Sequence, residues 1–574
     1  MRALYFPLIP RDPQLQKQQR PSAFNITGSA VYMAGFFEAL VRYSSFDRFY
    51  VPDYPRGQQD DPRDSELFAM NPGRIKSLAE HQYSEMRHAD HLVMAAPFQS
   101  LSGLSRIRRL SRRPRTPITA VIHSINYAQQ MASMLELFLS AVEPFDALVC
   151  SSTTGRQAIE NFQREIQTRL AAAGLHGLGS GVSTPVVPLG IETADFGAAP
   201  AEPLRAKLAI TQEHQVLLYF GRFSASSKAD LLPLLIAFAD VARAHPASVL
   251  VLAGDDTHFR MAGALTRFAG DLGCGDRVRV LPNPTTSERR QLYSLADLFV
   301  SLADNLQETF GLSVVEAMAA GVPVVASDWD GYKDLVVQAE TGYLIPTLMP
   351  EYPAAFDDVR GSGRMLAPDL LAATTVVEMD ALKRVLNLLL TDAGHRRELG
   401  AAAQRRARAL YDWREIIRQY EALWSELEEL ANLQDEVPSR ELLDWSRWGY
   451  REMFGHYGTG FIDRASRIRI TDAGREWRRR PEMLAQIAVP STWFRPADMA
   501  RLLDVLGRTE EMRLEEALVP GANPDSPASD EQAMRAVGHV CRLMKYGLVA
   551  LVATAASSEV VLPSERVLCV SEGD

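Results

Sequence analysis

The chain has 574 residues, 47% hydrophobic and 23% charged, which is an ordinary globular composition with enough apolar material for about two to four domains. Its formal net charge of −10 at pH 7 argues against a dedicated nucleic-acid-binding protein. The four cysteines (Cys150, Cys274, Cys541 and Cys569) show neither CxxC metal spacing nor a paired framework, which indicates a reducing compartment. We find no signal peptide and no apolar run of the roughly 18 residues that span a membrane, so we expect a cytoplasmic protein.

Short apolar segments alternate with helix-length segments from the start of the chain, a pattern typical of parallel sheets built from strand–helix–strand units. The predicted strands of the first part are RALYFPL (2–8), HLVMAAP (91–97), PITAVIHS (117–124), FDALVCSS (145–152) and TPVVPLG (184–190). We therefore expect one doubly wound, Rossmann-like α/β domain over residues 1–200.

A second series of the same kind follows. Its predicted strands are QVLLYFGRFS (215–224), ASVLVLAGDD (247–256), RVRVLPN (277–283), DLFVSLA (297–303), VPVVASD (322–328) and GYLIPT (342–347). After a stretch rich in proline, glycine and acidic residues, the segment 379–433 is almost entirely helical by its periodicity. We expect a second Rossmann-like domain over residues 201–432, with terminal helices that cross back to the first.

The remainder, residues 433–574, lacks the alternation of strand and helix and indicates a smaller, mainly helical accessory domain for recognition or oligomerisation. Two helices and a two-strand wing at 557–570 weakly resemble a winged-helix module. DNA binding is disfavoured because residues 440–574 carry 18 Arg plus Lys against 20 Asp plus Glu.

The first strand of the second series ends in a loop that carries two cations. Gly221 allows a tight exit from the strand, and Arg222 and Lys228 follow on the loop. In open parallel sheets ligands bind at the carboxyl ends of the strands, so these groups suit a diphosphate. The alternative is a pair of solvated surface charges.

Two glutamates, Glu308 and Glu316, flank the start of a predicted helix that ends at Gly321. They are too far apart for the carboxyl pair of a retaining glycosidase, which is about 5 to 5.5 Å apart. A sugar beside Glu308 and a ribose beside Glu316 suit them better, with a phosphate facing the N–H groups of Phe310, Gly311 and Leu312. The alternative is a helix-stabilising glutamate and an exposed one.

These segments resemble a known family. Residues 221–228, 252–256, 292–336 and 341–347 are similar to the donor half of retaining glycosyltransferase family 4, which has the GT-B fold, and residues 25–43, 145–159 and 186–196 extend the resemblance into the first half. It covers residues 1 to about 430. It implies an α/β GT-B protein of two Rossmann-like domains facing across a cleft.

The family's glutamate pair falls on Glu308 and Glu316, and its basic pair falls on Arg222 and Lys228. His123 matches the first-domain histidine that approaches the donor sugar. The resemblance also implies a donor-binding set in the two halves: Gly28 and Ser29 in the first, and Gly221, Thr309, Phe310, Gly311, Leu312 and Glu316 in the second. The family's GGxPE segment is replaced here by DGYKD (330–334), with Asp334 in the acidic place, so the sugar or acceptor preference is expected to differ.

The resemblance implies a retaining glycosyltransferase of the hexosyltransferase type, with front-face displacement. The donor is a nucleotide sugar, UDP- or GDP-linked, and no other cofactor is implied. The acceptor is a saccharide, a lipid-linked sugar, a peptide or a small molecule. We assign no metal to the DWD sequence at 328–330, because its neighbours match a metal-independent family.

The arginine-rich segment 104–116 either faces an anionic membrane or acceptor, which would give peripheral contact with the inner membrane face, or is a solvated connection. A homodimer formed through the C-terminal domain is a further alternative. The rival function is a non-catalytic nucleotide-sugar-sensing or scaffold protein on a transferase fold. A phosphorylase on the same fold has no sequence support.

Overall fold

The structure is a computed structural model that describes residues 2–6, 28–52, 67, 70–71, 73–78, 88–94, 101–110, 113–125, 128–139, 142–176, 182–225, 227–349, 372–434, 462, 465–488, 494–517 and 537–552. The described residues divide into two units, one formed by those within 2–434 and one by those within 462–552. The first unit contains two parallel sheets, and the second contains a small antiparallel sheet.

The first parallel sheet has six strands: β1 (Ala3–Tyr5), β2 (Arg48–Pro52), β3 (Ile75–Leu78), β4 (His91–Met94), β5 (Ile118–Val121) and β6 (Ala147–Val149). Its helices are α1 (Gly28–Tyr43), α2 (Leu101–Leu110), α3 (Ala128–Leu139) and α4 (Thr153–Ala172). The strand order is β3-β2-β1-β4-β5-β6, so the direction of winding reverses between β1 and β4. Ligands of doubly wound sheets bind at the carboxyl ends of the strands at such a reversal.

The first sheet differs from the sequence prediction in three places. Strands β2 and β3 were not predicted, and the segment 184–190 forms no strand. It makes one isolated parallel bridge, between Cys150 and Val186. Pro185 and Pro188 explain this, because each lacks the N–H that a strand must donate to its neighbour.

The second parallel sheet contains all six strands predicted for it: β7 (Gln215–Phe220), β8 (Ser248–Gly254), β9 (Val278–Pro282), β10 (Leu298–Ser301), β11 (Val324–Ser327) and β12 (Gly342–Ile345). Its helices are α5 (Glu202–Leu208), α6 (Leu232–Val241), α7 (Ala262–Asp271), α8 (Thr286–Leu295), α9 (Leu312–Ala319) and α10 (Tyr332–Leu335). The order β12-β11-β10-β7-β8-β9 reverses between β10 and β7. Every residue of β8, β10 and β11 is buried, as expected of strands that helices cover on both faces.

Three helices close the first unit after a short antiparallel pair, β13 (Thr347–Leu348) and β14 (Val376–Val377). They are α11 (Met379–Thr391), α12 (Ala393–Leu410) and α13 (Trp413–Asn432). Helix α13 packs on the first domain, where Trp424 Nε1 donates to Thr119 Oγ1 at 3.1 Å and the Tyr420 and Tyr32 hydroxyls lie 3.1 Å apart. Trp413 covers Gly190, at which a Cβ would lie 2.3 Å from the indole ring. The chain thus returns to the first domain through buried aromatic side chains.

The arginine-rich segment is not uniformly exposed. Arg108 of α2 is 2% exposed, and its guanidinium lies 2.7 Å from the carboxylate of Asp146 and 5.3 Å from the centre of the Phe145 ring. Asp146 also accepts the backbone N–H groups of Ile118 and Glu143, at 2.9 and 2.8 Å. Arg108 therefore ties α2 to the segments before β5 and β6 and has a structural role.

The second unit has its own apolar core under three antiparallel strands, β15 (Arg467–Ile470), β16 (Glu511–Arg513) and β17 (Val549–Leu551), in the order β16-β15-β17. Its helices are α14 (Asp472–Arg478), α15 (Leu484–Ile487) and α16 (Pro496–Thr509), and residues 537–545 are also helical. The predicted wing at 557–570 lies outside the described residues, so the winged-helix interpretation stays a prediction. None of the helices in the described part of the chain combines the length and the hydrophobicity that a membrane crossing requires.

Candidate active site

Three loops meet at the carboxyl ends of β7, β10 and β11, which are neighbours in the second sheet. The loop after β7 carries Arg222 and Lys228, the loop after β10 carries Glu308, and the turn after β11 carries Asp330. The reversal of strand order between β10 and β7 leaves a crevice there. The two predicted cations and the first predicted glutamate are therefore brought together by the topology.

Lys228 and Glu308 form a direct ion pair between the Lys228 Nζ and the Glu308 Oε2. Their side chains are 13% and 12% exposed, so the pair is partly desolvated but still reachable from the crevice. The backbone of the loop that carries Lys228 is held by a hydrogen bond, because Asn305 Nδ2 donates to the Lys228 carbonyl at 2.5 Å. The pair thus joins the loops after β7 and β10.

Arg222 lies next to this pair on a tightly packed backbone. Its guanidinium donates to the Ser227 carbonyl at 3.1 Å, and its own carbonyl accepts the Tyr219 hydroxyl at 3.0 Å. A Cβ at Gly221 would lie 2.7 Å from the Tyr219 hydroxyl, so glycine is needed for the exit from β7. These contacts hold the cationic loop against the sheet.

The loop that carries Glu308 turns into α9 through Gly311, whose φ is 119°. A Cβ at Gly311 would lie 2.4 Å from the Tyr332 ring, so both the conformation and the space require glycine. Thr309 and Phe310 are buried, and Leu312 is the first residue of the helix. The amino end of α9, with the partial positive charge of a helix amino terminus, therefore opens beside Glu308.

Glu316 is 1% exposed, and its carboxylate is held by two residues of α8. Arg289 pairs with both carboxylate oxygens, with its Nε 3.2 Å from Oε2, and the Tyr293 hydroxyl donates to Oε2 at 2.7 Å. Burial by itself lowers the pKa of Arg289, but Glu316 and Tyr293 outweigh it and raise that pKa above its ordinary value. The alternative that Glu316 is exposed on mid-helix is therefore wrong.

Sequence reasoning missed Arg289 and Tyr293. Their spacing of four places them on one face of α8, and this could have been read from the sequence. Nothing in the sequence pairs that face with α9, however, because the two helices meet only through the sheet topology.

Two further carboxyl groups lie near the ion pair. Asp304 is 5% exposed, accepts the Asp230 N–H at 3.3 Å, and burial raises its pKa to about 7. Burial and then the charge of Glu308 raise the pKa of Asp330 well above its ordinary value. Both carboxyl groups are therefore protonated more readily than an ordinary aspartate.

The residues predicted in the first domain lie at the carboxyl ends of its strands. His123 comes two residues after β5, is 9% exposed, and its ring packs edge-on against Tyr32 with ring centres 5.3 Å apart. Gly28 and Ser29 are the first two residues of α1, which follows β1. All three thus lie at the edge of the first sheet at which ligands of such sheets bind.

Two contacts connect this edge to the second domain. The Ser151 hydroxyl donates to the Thr309 carbonyl at 3.1 Å. Thr153, the first residue of α4, donates its backbone N–H and its hydroxyl to the Asp334 carboxylate at 2.6 and 2.5 Å. Asp334 therefore joins the two halves beside the glutamate loop.

In the part of the chain that the structure describes, no group of three or more His, Cys, Asp or Glu residues is placed to hold a metal ion. Within the DWD sequence, Asp328 lies 3.9 Å from the Lys333 ammonium. Metal independence stays a prediction.

The second domain, which carries this site, is similar to known glycosyltransferases. Residues 201–352 match the family model described as glycosyl transferases group 1. The D-inositol 3-phosphate glycosyltransferase of Segniliparus rotundus is 30% identical over 167 residues, which cover 29% of this chain and 36% of that protein. The phosphatidyl-myo-inositol mannosyltransferase of Mycobacterium tuberculosis is 27% identical over 312 residues, which cover 54% of this chain and 68% of that protein. The chain thus spans about a third of the length of the first of these relatives.

Among solved structures, Anabaena Alr3699/HepE in complex with UDP is similar, with a TM-score of 0.51 and 17% identity over 74% of this chain and 100% of that one. A glycosyltransferase from Rickettsia africae has a TM-score of 0.50 and 11% identity over 74% of this chain and 98% of that one. These likenesses, with the two facing sheets, confirm the expected GT-B fold.

Proposed function

The chain carries a domain of the glycosyl transferases group 1 family over residues 201–352, and on that premise we propose that it is a retaining glycosyltransferase that uses a nucleotide sugar. The observation that carries the proposal is the Lys228–Glu308 ion pair, which lies beside Arg222 and the amino end of α9 in the crevice of the second sheet. A lysine, an arginine and a helix amino terminus are the groups that bind phosphate in proteins.

Binding of the donor replaces one partner of Lys228 by another. The lysine ammonium turns from Glu308 to the diphosphate, and Arg222 and the first N–H groups of α9 bind the same phosphates. Glu308 is then released to accept hydrogen bonds from hydroxyls of the sugar. The apo ion pair thus keeps both charged groups neutralised until a donor arrives.

Glu316 is proposed to accept a ribose hydroxyl. A carboxylate offers about four lone-pair sites. Arg289 and Tyr293 fill three, two on Oε2 and one on Oε1, so Oε1 keeps one for the ribose. The ion pair with Arg289 holds that oxygen in a fixed direction.

The chemical step requires stabilisation of negative charge, because charge grows on the diphosphate as its bond to the sugar breaks. Lys228, Arg222 and the α9 amino end supply this stabilisation before the reaction begins, without a metal. Retention follows if the acceptor attacks from the side that the diphosphate leaves, with a phosphate oxygen taking the acceptor proton. His123 lies in the first domain, where it would approach the sugar.

The acceptor is proposed to bind on the first domain and to be a saccharide, a lipid-linked sugar, a peptide or a small molecule. The relatives whose names specify inositol acceptors favour a hydroxyl-rich one. Contact with a membrane and dimerisation stay predictions.

The test is turnover of nucleotide sugars by the purified chain. We expect slow release of sugar from one UDP- or GDP-sugar and no release by Glu308→Ala, whereas Glu398→Ala, a change on α12 outside the site, keeps the wild-type rate. Equal turnover by Glu308→Ala and the wild type would contradict the site assignment. Absence of turnover with intact nucleotide binding would favour the sensing or scaffold function.

A further inference from the structure

The turn between β11 and α10, residues 328–331, holds an aspartate in an uncommon backbone conformation. Asp330 has a φ of 41°, in the left-handed region. Few residues other than glycine adopt it, although aspartate tolerates it better than most. Such conformations persist only where the surroundings fix them, and they cluster at ligand sites. Five other non-glycine residues in the described part of the chain also have a positive φ, so it is the position of Asp330 beside Glu308 that singles out this turn.

Contacts on both sides of Asp330 fix the turn against the glutamate loop. Trp329 is buried, and its Nε1 donates to the Asn305 carbonyl at 2.7 Å. The Gly331 N–H lies 3.2 Å from the Glu308 carbonyl, and a Cβ at Gly331 would lie only 2.4 Å from the Thr309 carbonyl oxygen. Asp330 is thereby placed beside Glu308, and Asp330 itself is half-buried.

The charges around Asp330 make it different from Glu308. Burial raises its pKa first, the charges of Glu308 and Asp334 raise it further, and the Gly331 N–H and Lys333 lower it by less. The raised pKa favours the protonated form of Asp330, whose O–H can donate a hydrogen bond, whereas the Glu308 carboxylate that pairs with Lys228 accepts them. The two groups side by side thus offer one donor and several acceptors to a hydroxyl-bearing ligand.

We propose that Asp330 is a sugar-contacting residue of the donor site and that, together with Glu308, it determines which hydroxyl configuration of the donor sugar is accepted. This inference rests on the proposed function, because it assumes that the diphosphate occupies Lys228 and directs the sugar towards Glu308. A site built to hydrogen-bond a hydroxyl discriminates strongly against a sugar that presents it elsewhere, since its buried polar groups are then left unpaired.

The experiment compares Asp330→Gly, Asp330→Asn and the control Asp328→Asn with the wild type. Asp328 lies two residues away in the same turn, and its side chain is 45% exposed. Affinity is measured by calorimetry for UDP and GDP and for pairs of their conjugates that differ at one carbon, such as UDP-glucose and UDP-galactose. Glycine suits a φ of 41°, so Asp330→Gly is expected to fold and to keep its unfolding temperature.

The expected result is that the wild type prefers one conjugate of a pair and that Asp330→Gly loses about tenfold of this preference while its affinity for the free nucleotide stays within about twofold. Asp330→Asn keeps part of the preference, and Asp328→Asn keeps all of it. The inference is overturned if the preference of Asp330→Gly equals that of the wild type. If the wild type binds no nucleotide or conjugate, the proposed function fails and this inference fails with it.

Discussion

Replacement of Asp304 by asparagine should change how stability depends on pH. The Asp304 side chain is almost completely buried behind the Lys228 loop, where the Asp230 N–H donates to Oδ2 and the nearby Asp230 carboxylate adds to the effect of burial. Asparagine has the shape of the protonated acid and can still accept the Asp230 N–H. The substitution thus removes the titration and keeps the packing.

The size of the effect follows from the pKa. The folded protein raises the pKa of Asp304 from 3.8 to about 7. At 1.36 kcal/mol per pH unit this difference is worth about 4 kcal/mol. Because the pKa is raised on folding, the favourable contribution is complete below pH 3.8 and is lost as the pH rises towards 7, above which it no longer changes.

The assay is urea unfolding of the wild type and Asp304→Asn between pH 4.5 and 8. The difference between the two proteins at each pH isolates Asp304, since the other titrating groups are common to both. Asp304→Asn should gain stability relative to the wild type as the pH rises, reaching about 4 kcal/mol near pH 7.5. Asp328→Asn, at an aspartate whose side chain is 45% exposed, should show no such trend. A difference that is constant across this pH range would refute the reasoning.

Two other substitutions test the packing around the site and the first sheet. Arg108→Met should lower the unfolding free energy by about 3 to 5 kcal/mol, because Asp146 is left buried without its cation. The control Arg113→Met, at an arginine whose side chain is 49% exposed, should lower it by less than about 1 kcal/mol. Equal effects of the two substitutions in urea unfolding would contradict this prediction. Gly311→Ala should lower the unfolding temperature, because Gly311 has a φ of 119° and a Cβ there would meet the Tyr332 ring. Gly263→Ala should leave the unfolding temperature unchanged, because a Cβ there meets only the end of Arg267 at 3.6 Å. An unchanged unfolding temperature for Gly311→Ala would show that the turn into α9 can relax.

The sequence predicted the second sheet better than the first for a physical reason. Most of its strands are continuous apolar runs bounded by glycine, proline or charge, and all six were identified, including β9, in which apolar residues flank Arg279. Strand β2 carries Arg48 and a proline, and β3 carries Lys76, so neither shows a buried-strand pattern. Conversely, the segment 184–190 was predicted as a strand because it is apolar, but its prolines lack the N–H groups that a strand donates to its neighbour.

In the site, too, some features could be predicted from the sequence and others could not. Arg222, Lys228 and Glu308 were predicted because each lies on a loop next to a recognisable strand or helix. The partners of Glu316 and the contact between Thr153 and Asp334 were not, since they join elements far apart in sequence. Asp330 was noted only as a departure from a motif, because its conformation and its nearness to Glu308 are properties of the folded turn.

The central claim is that the Lys228–Glu308 crevice binds the diphosphate of a nucleotide sugar, and calorimetric titration with UDP, GDP, ADP and TDP tests it most directly. We predict that one nucleotide binds the wild type and binds Lys228→Ala about 10- to 100-fold more weakly, as expected for loss of a charged hydrogen bond to phosphate. Lys383→Ala, which removes a lysine paired with Asp240 outside the site, should bind like the wild type. Binding of no nucleotide, or equal binding by Lys228→Ala, would contradict the claim.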